Sequence, residues 1–137
     1  MLHIEKNIRV MVEDTDHFGN INWRVFCRYC EVGEVGYLRT LNLDPITLHK
    51  KYCIYFPRRD AHFKYLAPME VGDSIEVRTK IADIGKTSLI WNHEVYKGKT
   101  LVAKAKIVTV AVDKTKTKVP IPDELRKTLE GSIKKRL

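Results

Sequence analysis

The 137 residues suit a single domain, large enough to bury a core without a disulfide or metal staple. Apolar residues at 44% and charged residues at 31% exclude a disordered chain, and no run approaches the ~20 apolar residues of a membrane helix. The formal charge is +8, of which the segment from Lys114 onward holds +5; that tail attracts phosphates of any kind, but no zinc-finger, RNP-like or helix-turn-helix pattern accompanies it, so nucleic acid is not the expected partner. Glu5, Lys6, Arg9, Glu13, Asp14 and Asp16 leave no room for a secretory leader. An odd number of cysteines adds to the expectation of a reduced, cytoplasmic chain.

In chain order, Ile8, Val10 and Val12 alternate with polar residues and predict a first strand. A polar loop follows, Glu13-Asp14-Thr15-Asp16-His17-Phe18-Gly19-Asn20-Ile21-Asn22. From Trp23 to about Leu41 the apolar spacing is helical, with Phe26, Cys30, Gly33 and Tyr37 on one stripe and Asn22 placed as N-cap. Gly33 and Gly36 each cost such a helix about 1 kcal/mol, which predicts close packing against a sheet. Asp44-Pro45 opens a short second helix. Strands are expected at Tyr52–Phe56, Ala61–Tyr65, Ile75–Ile81, Leu89–Val95 and Leu101–Asp113, separated by turns at Gly72, Gly85 and Gly98. Pro120 to Gly131 reads as a terminal helix. The pattern is α+β: an antiparallel sheet covered by one long helix, with residues 1–119 as the body and 120–137 as a C-terminal helix and basic tail of the same domain.

The acidic loop is where chemistry is expected. Asp14-Thr15-Asp16 lacks the further acids and glycine of an EF-hand, so no metal is expected there. Asp16 suits a turn or capping role. It also stands just ahead of a long helix, whose first free N–H groups form a positive pole. A carbonyl oxygen held at that pole is polarised, and a carboxylate alongside can attack the carbonyl or activate water. That pairing suits acyl transfer or thioester hydrolysis. An ordinary aspartate, with pKa about 3.9, is ionised at neutral pH.

The run Val12-Glu13-Asp14-Thr15-Asp16-His17-Phe18-Gly19-Asn20-Ile21-Asn22 resembles the signature of hotdog-fold acyl-CoA thioesterases, most closely the 4-hydroxybenzoyl-CoA thioesterase branch. The resemblance continues at Glu31, at Tyr65-Leu66-Ala67-Pro68-Met69-Glu70-Val71-Gly72-Asp73, at Gly85-Lys86-Thr87-Ser88-Leu89 and at Pro120-Ile121-Pro122-Asp123-Glu124-Leu125, spanning residues 6–129 in order. It implies a hotdog fold, in which the sheet wraps around one long central helix. It also implies subunits joined sheet edge to sheet edge in a homodimer or homotetramer, and hydrolysis of acyl-CoA to free acid and CoA. No cofactor beyond the CoA of the substrate is implied. The catalytic carboxylate maps to Asp16 and the carbonyl-polarising backbone N–H to Trp23. Trp23 and Phe26 depart from the residues usual in the family, which alters the acyl pocket but leaves a backbone role intact. Asn22, Phe26, Arg59, Lys86, Thr87 and Ser88 are the expected substrate-binding residues. Arg58, Arg59, Lys64, Lys86 and Lys97 are candidates to meet the CoA phosphates.

Cys27 and Cys30 form C-x-x-C inside the helix, not at its start where a thiolate is stabilised, and read as packed thiols. Together with Cys53 and His49 they lack zinc-finger spacing. His62 and His93 read as structural strand residues. Two alternatives stay open. One is a hotdog 3-hydroxyacyl-thioester dehydratase using His17 and Glu31, although its Pro- and Gly-rich segment is missing. The other is a non-catalytic acyl or nucleic-acid binding protein.

Overall fold

The computed structural model describes residues 1–16 and 20–134. Five strands, β1 (His3–Arg9), β2 (Arg58–Tyr65), β3 (Ser74–Ile84), β4 (Ser88–Lys97) and β5 (Thr100–Val110), form one antiparallel sheet in the order β1-β3-β4-β5-β2. The helices are α1 (Val25–Thr40), α2 (Pro45–Tyr52) and α3 (Asp123–Lys134). In β3 and β4 every second residue is buried, so a slip of one residue would expose the whole apolar set; this fixes their register.

The buried face of the sheet holds α1. A methyl group at Gly33 would overlap Thr79 Oγ1 and stand 3.2 Å from Val77 Cγ1, so the helix backbone lies directly on β3. At Gly36 the tips of His3 and Glu5 occupy the same kind of space. The close packing expected from these glycines is therefore present. Around α1 the core has two lobes. Near its start Phe26 and Tyr29 pack with Val10, Ile75, Val77 and Val102. Toward its end Tyr37 meets Trp91 edge to face, centroids 5.4 Å apart, with Leu125 and Leu129 of α3 in the same cluster. Among the described residues no helix is long and apolar enough to cross a membrane.

Several expected boundaries are corrected. β1 runs from His3 and ends at Arg9, not through Val12. The buried Asp14 carboxylate accepts the Met11 N–H at 2.8 Å, which curls Val12–Asp14 into a 3₁₀ turn and leaves Val12 70% exposed. The strand expected at Tyr52–Phe56 is absent. Asp44 caps α2 through the Thr47 N–H at 2.8 Å, the helix continues to Tyr52, and Cys53 ends it in the left-handed region at φ 55°. From that segment only Tyr55 pairs with the main chain of Val112. β5 ends at Val110 rather than Asp113, although Ala111 still donates its N–H to the Thr87 carbonyl in the same register. α3 starts at Asp123, after Pro122 rather than at Pro120, and runs to Lys134.

β2 differs from the other strands. It lies at the sheet edge, pairs only with β5 and is exposed at every residue except Phe63. An open eight-residue edge is a template for another strand.

Candidate active site

Between β1 and α1 the chain folds back on itself. Thr15 and Ile21 pair in an isolated antiparallel bridge. Asp16 donates its backbone N–H to the Asn20 carbonyl at 2.7 Å, and its Oδ1 accepts the Asn20 N–H at 3.0 Å. The dehydratase candidate His17, with Phe18 and Gly19, lies outside the described residues. Asp16 is half-buried.

The hairpin is anchored by a residue that composition and spacing did not single out for this task. Asp14 is 4% exposed and pairs with Arg28 of α1 at 3.1 Å, while its carbonyl accepts the Asn22 N–H at 2.6 Å. The ion pair ties the turn to the second turn of the helix. Arg28 also lies 5.6 Å from the ring centroid of Tyr29. Burial, reinforced by the Asp14 charge, pushes the Tyr29 hydroxyl above its ordinary pKa. The partner of Asp14 stands fourteen residues away and becomes adjacent only when the loop closes on the helix.

At the helix start Asn22 is not the expected cap: the N-cap position of α1 is Arg24, which has no side-chain cap, and Asn22 instead shapes the turn before it. Its Oδ1 accepts the Arg24 N–H at 3.0 Å, and its carbonyl accepts from Val25 at 3.0 Å. Regular α1 begins at Val25, two residues later than expected. Among the described residues nothing accepts a hydrogen bond from the Trp23 backbone N–H, while its indole is 63% exposed. Phe26, one turn on, is 6% exposed and packs edge-on against Tyr29 (5.8 Å) and Tyr65 (5.0 Å). The aromatic group therefore joins the start of α1 to the far end of β2.

Arg59 and the Lys86–Thr87–Ser88 turn are not brought to Asp16 within one chain. Val10 bonds the carbonyl of Asp73, just before β3, whereas Lys86–Ser88 follow the other end of that eleven-residue strand, about 35 Å away in extended length. The turn is shaped by its backbone: the Gly85 N–H donates to Ser88 at 2.8 Å and the Ile121 N–H to Lys86 at 2.9 Å.

A second polar group is buried between α1 and the sheet. His93 Nε2 lies 2.8 Å from Glu34 Oε2, His93 Nδ1 2.8 Å from Thr79 Oγ1, and Arg58 Nη2 3.0 Å from Glu34 Oε1. A carboxylate only accepts, so Nε2 donates to Glu34, while Nδ1 shares a hydrogen bond with the Thr79 hydroxyl. Glu34 and Arg58, with Glu31, form the polar side of a cavity of about 250 Å³ whose apolar side includes Leu38, Leu48 and Trp91. His93 is structural, as expected, but His62 is not a packed residue: it is exposed on the outer face of β2. Glu34 carried no sequence signal, since its partner lies 59 residues on.

All three cysteines are free thiols. Burial, and then the neighbouring Glu34 charge, push the Cys30 thiol far above its ordinary pKa, whereas Cys53 is exposed. Iodoacetamide at mildly alkaline pH is expected to alkylate Cys53 first and to spare Cys30 until denaturant is added. Peptide mass spectrometry reads this directly, and early label on Cys30 would contradict the packing.

The sequence profile described as the thioesterase-like superfamily matches residues 10–129. The chain belongs to that superfamily. Its relatives include the acyl-CoA thioester hydrolase YbgC of Escherichia coli O6:H1, 27% identical over 128 residues, which cover 93% of this chain and 92% of that protein. The chain spans 65% of the length of the chloroplastic acyl-acyl carrier protein thioesterase ATL3 of Arabidopsis thaliana, to which it is 24% identical over 126 residues. Among solved structures, a thioesterase from Thermus thermophilus complexed with coenzyme A and Zn superposes with a TM-score of 0.82 at 24% identity, covering 98% of this chain and 96% of that one. The architecture is thus the expected hotdog fold, and thioester hydrolase, the expected enzyme class, is that of each relative named. In this thioesterase-like frame, the hairpin and the start of α1 stand together at one end of the helix and the Glu34 cavity further along it.

Proposed function

We propose that this chain hydrolyses an acyl-CoA thioester to the free acid and CoA between Asp16 and the start of α1. The observation that carries this reading is a half-buried carboxylate, held at a hairpin base, seven residues ahead of a backbone N–H at Trp23 that has no acceptor among the described residues. The Trp23 N–H polarises the thioester carbonyl and stabilises the oxyanion that forms. Asp16 then acts in one of two roles. As nucleophile it bonds to the carbonyl carbon, expels CoA thiolate, and leaves an anhydride that water cleaves. As general base it takes a proton from water as the water oxygen bonds to that carbon and the thiolate departs. YbgC, named as an acyl-CoA hydrolase, and the Thermus thioesterase, complexed with coenzyme A, support CoA as the thiol half.

The same reading includes a homodimer joined along β2. In β2, Tyr65 reaches the start of α1, while Arg58 registers with Thr109, which registers in turn with Leu89 beside Ser88. Antiparallel pairing of two copies along this edge lays the Arg58 end of one strand against the Tyr65 end of the other. Arg59 and Lys86–Ser88 of one copy then approach Asp16 of its partner, which accounts for binding residues that lie so far from Asp16 in a single chain. Arg59 and Lys86 meet CoA phosphates in this arrangement, and Phe26 backs the acyl end from beneath.

The test is a panel of aromatic and aliphatic acyl-CoAs, with thiol release and free acid measured together. Equal yields of both from at least one class are expected. No release from any member, or loss of water from 3-hydroxyacyl-CoA without thiol release, would overturn the hydrolase reading.

A further inference from the structure

The face of the sheet turned away from α1 carries a trough of about 560 Å³, running from Leu2, just ahead of β1, to His62 and Lys64 on β2. Its size lies within the range of small-molecule sites. Two rows of side chains cross it, set by strand register. One reads Arg78, Glu94, Lys104, Lys64; the other reads Lys80, Asn92, Lys106, His62. Neighbouring strands are about 4.8 Å apart, so five cations share one concave surface with Glu94 as its one acid among the described residues.

The arrangement works against the fold. Lys104 stands directly opposite Lys64, and like charges in that position destabilise a sheet. Among the described residues Lys64, Lys80, Lys104 and Lys106 have no carboxylate within ion-pair distance. Arg78 is already engaged, by Glu76 at 2.6 Å and by the Tyr96 ring at 4.1 Å. The four lysines are thus compact point charges, each with donors to spare.

We propose that this trough binds a small oligophosphate anion, recognised by charge alone and apart from the thioester site. Three features select this occupant. A second copy docked face to face would set lysines against lysines. Single-stranded nucleic acid is bound on aromatic platforms, and no Phe, Tyr or Trp side chain lines the trough. A bounded concavity crossed by rows of ammonium groups suits a short chain of phosphates, whose charge offsets the Lys64–Lys104 repulsion.

The experiment is calorimetric titration of the full chain with sodium tripolyphosphate, at low salt and again near physiological ionic strength, with thermal melting in parallel. One tripolyphosphate per chain is expected, bound more weakly at the higher salt. Lys106→Gln should weaken binding by about tenfold and Lys106→Glu should abolish it. Without phosphate, both variants should melt no lower than the parent chain, because each relieves repulsion. Tripolyphosphate should raise the melting temperature of the parent chain but not that of Lys106→Glu. ATP should bind about as well as tripolyphosphate, and acyl-CoA turnover by Lys106→Gln should keep its KM and kcat.

Absence of binding at low salt overturns the proposal, as does binding that neither Lys106→Gln nor the second variant Lys80→Gln disturbs. ATP binding without tripolyphosphate binding does so too, since a base would then be recognised. A KM for acyl-CoA that rises with loss of tripolyphosphate binding would make the trough the seat of the substrate's own phosphates. A 20-residue oligonucleotide bound far more tightly than tripolyphosphate would make it a nucleic-acid surface. None of the binding or melting arms requires thioester turnover, so their failure is distinct from failure of the hydrolase reading.

Discussion

Asp16→Asn is expected to release thiol from acyl-CoA roughly 10²–10⁴-fold more slowly than the parent chain, with its melting temperature almost unchanged. The substitution is nearly isosteric. The amide oxygen of Asn still accepts the Asn20 N–H that Asp16 Oδ1 now accepts at 3.0 Å, so the hairpin keeps its hydrogen bond. What disappears is the negative charge, and with it both the nucleophile and the base. The loss should fall on kcat more than on KM, because the helix start and its Trp23 N–H are untouched. Activity within about tenfold of the parent, in a folded variant, would remove Asp16 from the chemistry. A single turnover in ¹⁸O-water then tests direct attack. An unlabelled first acid product, its new oxygen drawn from Asp16 and the label left in the Asp16 carboxylate, shows direct attack followed by cleavage at the Asp16 carbonyl, whereas labelled acid excludes that route.

Glu34→Ala should be the most destabilising single change in the chain's buried polar group, costing about 1–3 kcal/mol, the range for leaving a buried hydrogen-bonding group without its partner. Glu34 is 7% exposed and serves two partners from two strands, His93 on β4 and Arg58 on β2. Without the carboxylate, His93 keeps only Thr79, and Arg58 loses its ion pair with Glu34. In a domain of this size the melting temperature should fall by roughly 4–10 °C. Glu34→Gln should lie between, since its amide oxygen recovers the His93 bond but not the charge toward Arg58. Because Arg58 begins the edge strand, Glu34→Ala should also weaken any dimer built along β2, readable by sedimentation. A melt within about 2 °C of the parent would show that the group is not a structural fastener.

The local elements were legible where one face of a strand or helix decides them. The alternation through Ile75–Ile81 and Leu89–Val95 marked β3 and β4, and the glycines of α1 announced contact with a sheet before the sheet was seen. The reading failed where a single side chain overrides the period. The buried Asp14 carboxylate curls the chain after β1, and α2, capped by Asp44, runs to Tyr52, the first residue of the segment expected as a strand. His62 alternates as well as His93 does, yet it lies on an edge strand with water on one side, a matter of strand order that no local window contains.

The ordering of Asp16 and a long helix was written in the chain, because a hairpin base and a helix start are neighbours along the backbone. The class of chemistry followed from that adjacency. Strand order, the exposed β2 edge, the Glu34–His93–Arg58 group and the lysine rows of the outer face came only from the tertiary structure. Each depends on residues dozens of positions apart meeting across strands, and register, which sets those meetings, is fixed by burial of the whole sheet rather than by any stretch of it.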